Sequence, residues 1–192
     1  MTETDSDINF GVLTYDVPIS NRGAYSKIRG LIRRKSIMQT ASAYLIPWGM
    51  RDAIVDSLDK MNEDKPKAKR VSFKVFPYAS EANEVLDKEV VRGIHTIIKT
   101  AKLGVEKSIN KARKVLHEAE MTGDTTIEYT MEDVYKRSLS KARREIKIAQ
   151  SLAIIFSQEG SLDTAIEAAH IAVVAQVEVH RTDDKDNSST DE

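Results

Sequence analysis

The spacing of apolar residues changes near position 80 and divides the chain into two kinds of structure. Residues 10–17 form a β-rich run that Pro18 stops, which predicts a first strand. Residues 24–35 follow the turn Asn21-Arg22-Gly23. They carry Tyr25, Ile28, Leu31 and Ile32 at helical spacing, with Arg29, Arg33 and Arg34 off that face. Residues 37–48 read as a second strand resting on Tyr44, Leu45 and Ile46, because the positions just before them are small; Pro47 and Gly49 end it. Residues 50–61 place Ile54, Val55, Leu58 and Met61 on one helical face. Residues 71–78 alternate Val71, Phe73 and Val75 with Ser72, Lys74 and Phe76, the period of a strand buried on one side. The order is β-α-β-α-β. Eight of the eleven aromatic residues lie within it, so sheet and core are concentrated before residue 80.

After residue 80 the period is helical. Ser80 offers an N-cap, with Glu81 and Glu84 in the first turn where acids are favoured. Leu86, Val90, Ile94, Ile97, Ala101, Val105, Ile109, Ala112, Leu116 and Ala119 then make one unbroken stripe. A helix of roughly 40 residues would be about 60 Å long. Gly93 and Gly104 share a face about three turns apart and each costs about 1 kcal/mol relative to alanine. Either they admit a close neighbour or the helix breaks there. Gly123-Asp124 ends this helix. Thr130-Met131-Glu132-Asp133 resembles a capping box with aspartate in the usual glutamate position. It opens a second helix through Tyr135, Leu139, Ala142, Ile146, Ala149, Ala153 and Phe156. Gly160 stops that helix, and Ser161 caps a third through Leu162, Ile166, Ala169, Val173 and Val177. Short connections imply antiparallel neighbours. The expectation is an α+β protein: a βαβαβ domain over residues 9–79, then a long antiparallel helical hairpin with a third helix over 80–181. The polar, acidic ends, 1–8 and 182–192, are expected to be disordered.

Two segments of the helical part are copies of one pattern. Residues 107–114 read KSINKARK and residues 137–144 read RSLSKARR. Between Lys99 and Lys114 there are six bases and one acid, and between Lys136 and Lys147 again six and one. If the helices fold back around residues 123–130, Ala112 faces Ala142 and the copies meet about a local pseudo-twofold axis. The net charge of −1 conceals this, because tails of −3 and −4 flank a body of +6. Concentrated cations repel one another unless phosphates or counterions neutralise them, and a nucleic-acid backbone gains by releasing its own counterions. Lys107, Lys111, Arg113, Lys114, Lys136, Arg137, Lys141, Arg143 and Arg144 are therefore candidate nucleic-acid contacts, with Arg29, Arg33 and Arg34 of the first helix as a second basic cluster. The plainer alternative is a set of solvated helix faces, and an acidic protein partner is a third reading.

Other chemistry finds little support. The chain has no cysteine, which excludes disulfides and thiolate-ligated zinc. His117-Glu118 lacks a second histidine at the zinc-protease spacing, the glycines form no phosphate loop, and no nucleophile elbow occurs. Nothing calls for a cofactor or argues for an enzyme. The acidic start is unlike a signal peptide, and no apolar run can span a bilayer, so a cytoplasmic protein without membrane contact is expected. Tyr44 and Trp48 would stack on bases if the second strand exposed a face, although core packing is the plainer reading.

The segments Gly11-Val12-Leu13-Thr14-Tyr15-Asp16-Val17-Pro18, Tyr44-Leu45-Ile46-Pro47 and Phe73-Lys74-Val75-Phe76-Pro77-Tyr78 resemble the ferredoxin-like small proteins of CRISPR spacer acquisition and the N-terminal domain of the chromate-resistance regulator ChrB. The resemblance covers about 40% of the chain. It implies a ferredoxin-like sheet, a homodimer formed through it, and a connection to nucleic acid. In the CRISPR group the aspartate that ends strand one is associated with metal-dependent nuclease activity, which places a metal site at Asp16; the ChrB-like pattern lacks that acid. No second carboxylate with metal-ligand spacing follows Asp16. The combined expectation is a non-catalytic nucleic-acid-binding protein, RNA ahead of DNA. A nuclease centred on Asp16 and an adaptor for an acidic or helical protein are the alternatives.

Overall fold

The computed structural model describes residues 8–40, 42–123 and 125–188. The elements in chain order are β1 (Phe10–Asp16), α1 (Ala24–Ile32), β2 (Ile37–Thr40), β3 (Ala43–Pro47), α2 (Arg51–Asn62), β4 (Ser72–Pro77), α3 (Asn83–Thr122), α4 (Met131–Ile155) and α5 (Glu159–Ser188). The fold is α+β, and its sheet has the order β2-β3-β1-β4 with every neighbouring pair antiparallel. With one helix after β1 and one after β3, this is the ferredoxin-like βαββαβ arrangement. The expected single strand over 37–48 is instead a hairpin. Thr40, Ser42 and Ala43 have no large apolar side chain to hold one long strand, and a bulge between Met38 and Thr40 disturbs the register there.

The chain divides into two compact units, residues up to 94 with 151–159, and 95–150 with 160 onward. The division falls inside α3 and inside α4. In the sheet unit, Leu13, Tyr15, Tyr44 and Ile46 pack against Ala24, Ile28, Ile32, Ile54 and Leu58 of α1 and α2. Asn62 fastens the end of α2 to the start of β4, donating to the Val71 carbonyl at 2.8 Å and accepting from the Val71 amide at 2.9 Å. The opposite sheet face is covered in part from within the same unit, while Phe76 of β4 stays 48% exposed on it. Phe10 stacks on Phe156 with ring centroids 6.1 Å apart. A β-carbon added to Gly93 would lie 2.4 Å from Cγ2 of Ile37. Gly93 therefore admits the close neighbour, α3 does not break, and Gly104 faces open space.

The boundary between α4 and α5 also differs from expectation. Ser157, not Gly160, ends α4, taking a left-handed φ of 54°. The Gln158 amide donates to the Ala153 carbonyl at 2.7 Å and the Ser157 amide to that of Ile154 at 3.0 Å, a Schellman closure with serine in the glycine position. Gly160 lies within the first turn of α5. In the helical unit α3, α4 and α5 each bury one stripe, including Val105 and Ile109, Ala142 and Ile146, and Ile166 and Val173. Residues 182–188, expected to be disordered, continue α5 to Ser188. The expected disorder at 1–7 and 189–192 lies outside the described residues.

Candidate nucleic-acid interface

The register of the hairpin is set locally at both ends of its connection. Gly123 takes a φ of 68°, which suits a residue just past a helix C-terminus. At the start of α4 the capping box forms with aspartate. The Thr130 amide and hydroxyl both donate to Oδ2 of Asp133, at 3.1 and 3.0 Å, and the Asp133 amide donates to the Thr130 hydroxyl at 3.3 Å. These hydrogen bonds hold the Asp133 carboxyl below the usual carboxylate range.

The two copies of the basic pattern then meet. Ser108, Lys111 and Ala112 from α3 and Val134, Arg137, Ser138 and Lys141 from α4 line one open cleft of about 230 Å³, together with Tyr129 from the connection. Lys111 and Lys141 are equivalent positions of the repeat, as are Ser108 and Ser138. A shallow recess of about 440 Å³ continues from Arg137 and Lys141 to Lys136, Ser140 and Arg144. Lys107, Lys111, Lys114, Arg137, Lys141, Arg143 and Arg144 are exposed and have no salt-bridge partner among the described residues. Lys136 is exposed and pairs with Glu132 at 3.6 Å, one turn back on its own helix.

Arg113 is the exception. It is half-buried, pairs with Asp184 of α5 at 2.6 Å, and donates to the His180 carbonyl at 3.0 Å. Burial works against its charge, and the hydrogen bond and charge of Asp184 outweigh it, so its proton is held more firmly than that of a free arginine. The Tyr135 hydroxyl also donates to Asp184 and to the His180 carbonyl. Burial first, and the carboxylate second, push its pKa up to about 12. Arg181 lies over the Tyr135 ring, 5.5 Å from its centroid, and pairs with Glu132 at 3.1 Å. Arg113 is thus spent on holding α5, whereas its repeat partner Arg143 is exposed.

The remaining candidates belong to the sheet unit. Arg29 is exposed on α1 with a guanidinium nitrogen 3.8 Å from the Met38 sulfur. Arg33 and Arg34 are exposed in the turn after α1 rather than on the helix. Tyr44 is buried against the helices, its ring 5.8 Å from that of Tyr15, and Trp48 is half-buried beneath Arg51. Neither offers a free face to a base. Asp16 is exposed at the end of β1. Among the described residues no three histidine or carboxylate side chains gather as a metal site, Asp16 included.

Tyr129, Val134, Ser108 and Ser138 are cleft residues that the basic pattern alone does not single out. The two serines are the repeat's invariant second position, a signal present in the sequence; Tyr129 has none, since its place depends on the path of the connection. Among the described residues no helix is long and apolar enough to cross a membrane. Compared with known protein families, curated proteins and solved structures, the chain has no match.

Proposed function

We propose that this chain is a non-catalytic nucleic-acid-binding protein, with RNA ahead of DNA, and that the duplicated basic segments of α3 and α4 hold the phosphate backbone. The convergence of Lys111, Arg137 and Lys141 on one cleft carries this reading. Three cations around one opening repel one another, and a bound phosphate chain relieves that repulsion while releasing its counterions. Lys136 and Arg144 extend the same charge along α4. Phosphate contacts dominate, so sequence preference is weak.

The test is binding of the purified chain to labelled single- and double-stranded RNA and DNA across a salt series, beside a variant with Lys111, Arg137, Lys141 and Arg144 changed to alanine. Each phosphate contact on a single strand contributes about 0.7 to the slope of log affinity against log salt, so the variant should lose about 3 from that slope. Equal slopes for the two proteins would place binding elsewhere, and no binding at low salt would end the reading. A second reading, an adaptor for a helical protein partner, is favoured by Ile171 and Val179, which stand 71% and 59% exposed on α5. It predicts a salt-insensitive interface and no nucleic-acid affinity.

A further inference from the structure

The cleft between the two copies has features that a general basic surface does not require. Its lining includes the apolar Ala112 and Val134, the ring of Tyr129 and the equivalent serines 108 and 138. Ala112 is buried and Tyr129 is half-buried, so the ring leaves part of its surface open. Lys111, Arg137 and Lys141 line the cleft as well. At about 230 Å³ the cleft is below the range of pockets that enclose whole small molecules, about 300 Å³ and upward. It suits one flat group of a longer chain. A duplex cannot supply that group, because its bases are paired and stacked; a single strand can.

We propose that the cleft seats one unpaired base of single-stranded RNA against Tyr129, while Lys111, Arg137 and Lys141 hold the flanking phosphates. This deepens the nucleic-acid reading and rests on it. Stacking on an aromatic ring tolerates any base. The serine hydroxyls donate or accept at the base edge or the ribose without selecting one base. The ligand class is therefore single-stranded, and the duplex form of the same sequence binds by phosphate contacts alone.

The test uses the full chain and three probes: a short oligouridylate, the same backbone carrying abasic sites in place of bases, and an RNA duplex of equal length. Wild type should bind the oligouridylate more tightly than either other probe. Tyr129→Ala should weaken the oligouridylate about tenfold, in the range expected for one lost stack, and leave the abasic strand unchanged. Tyr129→Phe should keep wild-type affinity. Circular dichroism and thermal melting confirm that both variants fold. Equal loss on the abasic strand, or no loss on the oligouridylate, would overturn the seat while leaving the phosphate surface standing. Failure of wild type to bind any probe would overturn both.

Discussion

The sheet unit and the helical unit are closed by different forces. Aromatic and aliphatic packing closes the sheet unit: Tyr15 on Tyr44, Phe10 on Phe156, and Ile37 against the bare α-carbon of Gly93. The helical unit buries its aliphatic stripes too, but the far end of α5 is fastened by charge, through Arg113, Asp184, Tyr135, Arg181 and Glu132. Packing of the first kind tolerates salt and pH and punishes changes of volume. Fastening of the second kind tolerates volume and depends on ionisation. In a unit this rich in bases, Asp184 engages Arg113 and offsets its charge.

The glycines test this contrast most strongly. Gly93→Ala should destabilise by up to about 2 kcal/mol, because overpacking of about 1–3 kcal/mol opposes the gain of about 1 kcal/mol in helix propensity. Gly104→Ala, with nothing within 4 Å of the added carbon, should stabilise by up to about 1 kcal/mol. Urea midpoints that move in the same direction for both would break the distinction between a packed and an open glycine.

The two arginines of the repeat come next. Arg113→Ala should cost about 1–2 kcal/mol, a charged hydrogen-bond network discounted for its partial exposure, and should leave the salt dependence of RNA binding unchanged. Arg143→Ala should do the reverse, changing stability by less than about 0.5 kcal/mol and lowering the salt slope. Loss of both properties in either variant would show that the copies are not divided between fastening and binding.

The smallest effect is with pH. The Tyr135 phenol holds its proton to about 12 in the fold against an ordinary value of 10.0. Its contribution to stability is therefore complete below pH 10 and is lost as pH rises toward about 12. Tyr135→Phe should flatten that part of the alkaline unfolding curve relative to wild type. A variant curve parallel to wild type through this window would remove Tyr135 from the fastening of α5.

Local physics was legible in the sequence and distant physics was not. The long stripe of α3, the Thr130–Asp133 box and the alternation of 72–77 depend on neighbours within a few residues, and each element forms where its pattern places it. The hairpin of β2 and β3 was hidden because small residues at 40–43 give no period. The fate of Arg113 was hidden for another reason: its partner Asp184 lies on a different helix, in a stretch whose acidity reads as disorder. In the candidate site, the convergence of Lys111 and Lys141 follows from the repeat and the fold-back, whereas Tyr129 enters through the path of a connection that no pattern marks.

The sheet unit has a consequence for synthesis, because residues 151–159 belong to it although both basic segments precede them in the chain. A ribosome completes those segments before it delivers Phe156 to Phe10 or Gln158 to Asp87. Through that interval the sheet unit of the growing chain lacks Phe156 and Gln158, and apolar surface left exposed in that state invites chaperones and misassembly. A fragment ending at residue 150 remains in that state permanently, and its expression should yield aggregate where the longer chain yields folded protein.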